Sequence, residues 1–240
     1  PLGFTSITAL PISALKGDNI TTRSAKMPWY KGPTLMGYLE TIDPSPQELS
    51  TAAFPVQWVN RPNSEFRGFS GSVLQGEFKV GDTVRITRTG QTAKIREIVT
   101  MDGPLAQASE GETPTLVLDA EIDASRGDML SLADKPLETT DQFEAQLVWM
   151  HEDKGLAGRS YELKLCNQWS SATLTRLKYK TNVNTLAHEP AASLSLNDIG
   201  LCQISLSKPL VYGVYRETHA LGSFILVDKL THATVAAGMI

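Results

Sequence analysis

Three carboxylates fall at alternate positions in Asp119-Ala120-Glu121-Ile122-Asp123, a spacing that could gather oxygens around a hard cation. A calcium loop counted from Asp119 needs glycine sixth and glutamate twelfth, and the chain has Ala124 and Leu130 there, so the run reads as a solvated turn. His151, His188, His219 and His232 form no H-x-x-x-H or H-E-x-x-H unit, and no G-x-S-x-G elbow offers a nucleophile. Cys166 and Cys202 sit in the apolar stretches ELKLC and GLCQISL, outside any C-x-x-C unit, and read as reduced core thiols. The residue types therefore predict no catalytic side chain and no metal ligand.

Two stretches keep a chemical possibility. Arg176, Lys178 and Lys180 alternate with Leu177 and Tyr179, which on a strand places the three cations on one face. That face is either simply solvated or a docking surface for an acidic partner or a phosphate. Near the start, the apolar run Ile7 to Ile12 reads as a short buried strand that passes into Ser13-Ala14-Leu15 and breaks at Gly17-Asp18-Asn19. Small residues at a strand end let backbone N–H groups approach a flat ligand closely. Ser13 could equally cap the next turn. Arg126-Gly127-Asp128 reads as a turn before a strand.

The 240 residues are 41% hydrophobic and 20% charged, ordinary for a globular chain, and the net charge is −4. Chains that live on nucleic-acid phosphates usually carry a basic excess, so this balance argues against nucleic acid as the main partner. No apolar run is long enough to span a bilayer and no signal-peptide pattern is present, which leads to a cytoplasmic expectation. The chain opens on PLGF rather than methionine and closes on VAAGMI, and is read as a fragment of a longer protein.

The elements that must position these residues change in period along the chain. Pro33-Thr34 opens a helix whose Leu35, Leu39 and Ile42 share one face, and Asp43-Pro44-Ser45-Pro46 ends it. Asp43 to Ala53 reads as a linker. Strand-like segments follow: Phe54 to Asn60, one parity of Phe69, Gly71, Val73 and Gln75, then Val84-Ile86 and Ala93 to Thr100. Turn chemistry separates them at Lys79–Asp82, Arg88–Gln91, Asp102–Pro104 and Ser125–Asp128. A second linker lies near Ala133 to Thr140. Strands resume at Glu144–Met150, Tyr161–Cys166, Ala172–Tyr179, Gly200–Leu206, Phe224–Val227 and Thr234–Met239. Short strands without long helices between them predict antiparallel sandwiches or barrels. The expected division is 1–50, 51–137 and 138–240.

The order of these blocks carries a resemblance. PISALKGDN resembles the guanine-contacting loop of translation-factor-type GTPases, and FRGFSGSVLQGEFKVGDTVRI, with Gly71, Val73, Gly76, Gly81 and Asp82, resembles their second domain. FPVQWVNRPNSEFRGFSG, IVTMDG, DAEIDASRGD, NVNTL, LNDIG and GSFILVDKLTHATVAAGMI are similar to the large, GTP-hydrolysing subunit family of bacterial sulfate adenylyltransferase. The resemblance implies a mainly β fold: two antiparallel β-barrels of translation-factor type, preceded by a short α/β remnant of a GTPase domain. It implies GTP and Mg²⁺ in the parent protein, with hydrolysis driving ATP and sulfate to adenosine 5′-phosphosulfate. It also implies a small catalytic subunit as partner, and in some members a fused adenylylsulfate kinase. Ser13, Ala14 and Leu15 carry over as the guanine loop. No G-x-x-x-x-G-K-[ST] loop and no N-K-x-D motif occurs in these 240 residues, so no phosphate or magnesium ligand carries over, and the fragment alone is expected to be inactive and to bind neither. Two other readings stay open: an elongation-factor-like GTPase that binds tRNA, and a β-barrel interaction module with no enzymatic parent.

Overall fold

A computed structural model describes residues 7–42, 51–63 and 66–240. Residues 1–47 and 48–240 form two compact units.

Among its described residues the first unit holds one helix, α1 (Leu35–Thr41). Thr34 is its N-cap, and the Thr34 hydroxyl accepts from the Gly37 N–H at 3.1 Å, so Pro33-Thr34 does open the helix. No side chain of α1 is buried; Leu39 is 56% exposed. The buried strand expected over Ile7 to Ile12 is absent. That stretch has no regular structure and Ile7 is 80% exposed. An apolar run becomes a strand only when a neighbour completes its ladder. Among the described residues of this unit the only ladder is a single bridge, Ser13 with Asp18. The linker expected from Asp43 to Ala53 lies outside the described residues over 43–50. At its end the reading is overturned: Ala52 and Ala53 are buried, and the Ala53 N–H donates to Gln75 O at 3.1 Å.

The second unit begins with nine strands: β1 (Phe54–Asn60), β2 (Gly68–Gly71), β3 (Glu77–Lys79), β4 (Thr83–Ile86), β5 (Thr92–Thr100), β6 (Gly103–Leu105), β7 (Gln107–Ser109), β8 (Thr115–Leu118) and β9 (Met129–Leu132). Their order is β4-β9-β1-β2-β8-β5-β6, and β4 also pairs β5, which closes a six-stranded antiparallel barrel. Phe54, Val56, Phe69, Val84, Ile86, Ile95 and Leu116 fill it, with Phe54 edge-on to Phe78 at 6.0 Å. The predicted parity holds beyond the strand: Phe69, Gly71, Val73 and Gln75 are all buried.

Nine more strands follow: β10 (Thr139–Trp149), β11 (Gly155–Leu156), β12 (Ser160–Leu165), β13 (Gln168–Thr181), β14 (His188–Glu189), β15 (Ser193–Leu194), β16 (Ile199–Val211), β17 (Ser223–Val227) and β18 (Thr234–Met239). Their order is β12-β17-β18-β10-β16-β13-β14, and β12 pairs β13, so a second six-stranded barrel closes. A one-turn helix, α2 (His219–Gly222), leads into β17. Trp149 and Tyr161 meet edge-on at 5.7 Å in the core, and Trp149 Nε1 donates to Asp153 O at 2.7 Å. The barrels share a seam. Ala53 and Met129 of the first pack in the core of the second, and Asn167 Nδ2 donates to Val56 O at 2.6 Å.

The motif residues of the second-domain resemblance are structural. A Cβ on Gly71 would overlap the Pro55 carbonyl oxygen where β1 meets β2. Gly76 has φ +68° with Ala52 Cα 2.9 Å from where a Cβ would stand. Asp82 accepts from the Lys79 N–H at 2.7 Å and fixes the turn. In the second barrel, buried Asp228 accepts from the N–H groups of Leu230 and Thr231 at 2.9 and 3.0 Å, and from Arg159 at 2.7 Å. The backbone bonds from Thr231 and Leu230, joined by Arg159, hold its carboxyl well below the usual range, at about 2.

Two outcomes are expected. Gly71→Ala, which forces β1 from β2, lowers unfolding free energy by about 3 kcal/mol in chemical denaturation. Asp228 is depressed on folding, so its contribution is complete above about pH 4 and is lost as pH falls toward its folded value. Melting curves of the wild type should therefore fall more steeply than those of Asp228→Asn over that acid window.

Candidate functional site

The Ser13–Leu15 stretch is the tip of a closed loop. Ser13 N–H donates to Asp18 O at 3.1 Å, and Gly17 takes φ +71° to complete the reversal. Ser13 is half-buried, while Ala14 is exposed and Leu15 is 94% exposed. No described acceptor takes the N–H of Ala14 or Leu15.

Asn19 is the support behind this tip. It is buried and left-handed at φ 58°. Its Nδ2 donates to Pro11 O at 2.8 Å, its Oδ1 accepts from Ser24 N–H at 2.8 Å, and its carbonyl accepts from Leu35 N–H at 2.9 Å. Asp18 accepts from the Ser24 hydroxyl at 2.8 Å. One asparagine thus ties both ends of the loop to the start of α1. In the sequence Asn19 reads as part of the Gly17-Asp18-Asn19 break. The Asn in a Gly-Asp-Asn turn, which tolerates left-handed backbone, was the available signal.

The remaining sequence candidates separate. Asp119 accepts from the Lys94 N–H, Glu121 pairs with Arg61 at 3.4 Å, and Asp123 pairs with Arg88 at 3.4 Å, so the three carboxylates diverge. No group of three His, Cys, Asp or Glu residues suited to a metal occurs among the described residues. Asp128 of the Arg126-Gly127-Asp128 turn is buried. Burial pushes its carboxyl up, but Arg88, at 2.6 Å, and Ser125 more than reverse this. Both cysteines are free thiols raised by burial, Cys166 to about 11 and Cys202 to about 12.

The cation strand is only partly as expected. A bulge near Thr175–Arg176 and another before Tyr179 break the alternation on β13. Lys178 pairs with Glu144, and Lys180 with Asp198 at 3.6 Å, so two of the three charges are already matched. Tyr179 stacks on His188 at 3.8 Å. The structure adds a feature not read from the sequence: a groove of about 460 Å³ on the outer wall of the second barrel, between Lys164, Ile225, Ala237, Val148 and Met239. Its signal was apolar residues at both parities of β17 and β18.

Residues 69–131 match the family model described as elongation factor Tu domain 2, and residues 142–240 match GTP-eEF1A C-terminal domain-like. The bifunctional enzyme NodQ of Azospirillum brasilense is 48% identical over all of this chain and 39% of its own length. Sulfate adenylyltransferase subunit 1 of Chromobacterium violaceum is 45% identical over all of this chain and 50% of its own. The chain thus spans half or less of the length of these curated relatives. Among solved structures, sup35 complexed with GMPPNP superposes with a TM-score of 0.75 at 20% identity, over 95% of this chain and 57% of that one, a likeness of fold. Identity along the whole chain and two elongation-factor domain matches in the right order agree: the chain belongs to the sulfate adenylyltransferase subunit 1 family, with its NodQ-type bifunctional relatives, in the translation-factor GTPase superfamily.

Proposed function

We propose that this chain is part of a GTP-hydrolysing subunit of sulfate adenylyltransferase. In that reading, GTP hydrolysis drives ATP and sulfate to adenosine 5′-phosphosulfate and pyrophosphate, in the cytoplasm. The observation that carries it is collinear identity of 42–45% with two sulfate adenylyltransferase subunit 1 proteins over the whole chain. Residues 51–137 and 138–240 act as two barrel domains after a GTPase-derived segment at 1–50. They transmit the nucleotide state and hold a small catalytic subunit. A fused adenylylsulfate kinase is compatible with the bifunctional relative of Xylella fastidiosa, 42% identical over 99% of this chain.

In this reading Ser13, Ala14 and Leu15 form the guanine side of the nucleotide site. The exposed tip and the unclaimed N–H groups of Ala14 and Leu15 support it, since such donors suit an exocyclic carbonyl oxygen. Mg²⁺ would be held outside these 240 residues, because no phosphate loop with its Mg²⁺-binding hydroxyl occurs in them.

The chain alone should bind GTP no better than millimolar in calorimetry, roughly −4 kcal/mol, because phosphate and magnesium contacts dominate such sites. In the complete subunit, Ala14→Trp should weaken GTP by about 1–3 kcal/mol, the scale of overpacking a close site, and reduce GTP stimulation of sulfate activation in parallel. An unchanged GTP dissociation constant returns Ser13–Leu15 to the role of a capped turn. Tight binding of aminoacyl-tRNA by the complete protein in a filter assay would favour the elongation-factor reading instead.

A further inference from the structure

The upstream limb of the Ser13–Leu15 loop is held by one side chain. Residues 7–12 form no strand, and among the described residues the Asn19 amide makes the only hydrogen bond to them, from Nδ2 to Pro11 O at 2.8 Å. Beyond Pro11 the loop closes through Ser13 N–H to Asp18 O at 3.1 Å and Ile20 N–H to Gly17 O at 3.3 Å. Asn19 stands where the two limbs meet. Its Nδ2 also faces Met27 Sδ at 3.3 Å, and its Oδ1 accepts from Ser24 N–H at 2.8 Å, so both ends of the amide are used. At 1% exposure it acts through the backbone it holds, not by touching a ligand.

That backbone carries two open donors. The N–H groups of Ala14 and Leu15 have no acceptor among the described residues, and both residues are exposed. A limb free to move must be ordered when a ligand binds, and the cost of ordering is subtracted from the contact made. A donor that is already aimed keeps the contact whole, and a site built on such contacts rejects an analogue that lacks the acceptor. The ties between the loop and α1 are backbone bonds that any residue at position 19 retains: Leu35 N–H to Asn19 O at 2.9 Å and Met36 N–H to Ile20 O at 3.0 Å. Loss of the amide therefore frees the upstream limb without detaching the loop from the helix.

We infer that Asn19 is a positioning residue for base selectivity: its amide, bonded to Pro11 O and Ser24 N–H, aims the Ala14 and Leu15 N–H groups at the exocyclic oxygen of guanine. This deepens the guanine role proposed above for Ser13–Leu15 and rests on it.

The test is calorimetric binding of GTP, and of 2-aminopurine riboside triphosphate, which lacks that oxygen, to the complete subunit with Mg²⁺. Asn19→Gly removes the amide and leaves a residue at ease with φ 58°. Asn19→Asp keeps an acceptor for Ser24 N–H and loses the donor to Pro11 O. Each variant should weaken GTP about 10-fold, the scale of one hydrogen bond, and leave the 2-aminopurine nucleotide within about twofold. Should Asn19→Gly alone melt early, Asn19→Asp decides. A loss shared equally by both nucleotides, or early melting of both variants, makes Asn19 a residue of the fold alone and overturns the assignment. Ala14→Trp separates the two levels. If it leaves GTP binding unchanged, the guanine role fails and takes the Asn19 assignment with it. If it weakens GTP while both Asn19 variants bind as the wild type does, the guanine role stands and the Asn19 assignment is wrong.

Discussion

Closure of the two barrels is the constraint on which the rest of this structure depends. A β-strand left at a sheet edge exposes unpaired backbone groups, and in each barrel a hairpin removes that edge: β4 with β5, and β12 with β13. Once closed, a six-stranded barrel has an interior only wide enough for side chains, and alternate residues of every strand must fill it. Trp149, Tyr161 and Leu163 in one barrel, and Phe54, Phe69 and Ile86 in the other, meet that demand. The same closure leaves the outer parity free to vary.

The seam between barrels uses few groups but buried ones. Ala53 at the entry to β1 and Met129 at the start of β9 leave the first barrel's wall and pack in the second barrel's core. The Asn167 amide, at the tip of the β12–β13 hairpin, donates across to Val56 O. Val56 O also accepts from the Gly127 N–H, whose turn is fixed by Asp128 and Arg88. The Arg126-Gly127-Asp128 turn is thus a structural clasp. Its aspartate is spent on Arg88 and Ser125 rather than presented to solvent.

The glycines and Asp82 that carry the family resemblance act on the backbone, not on a ligand. Gly71 lets β2 lie against Pro55, and Gly76 turns the chain beneath Ala52. The Ser13–Leu15 loop is different. Its support, Asn19, is buried with both ends of its side-chain amide bonded, while the tip it holds is left open, an arrangement suited to holding a backbone surface in place.

By itself the sequence determined most of the strands and the turns between them. Phe54–Asn60 and Thr234–Met239 were legible to the residue, because period-two alternation bounded by Gly, Asp and Pro has few alternative structures. Its spacing of the acidic run and the histidines fits no local ligand motif. It misread Ile7 to Ile12, because an apolar run does not reveal whether a neighbouring strand exists to pair with it. Only the tertiary structure decided that Ala52 and Ala53 belong to a core, that bulges on β13 break the row of cations, and which residues stand side by side on the outer wall. Those facts depend on strand order and register between segments far apart in the chain, which local periodicity does not encode.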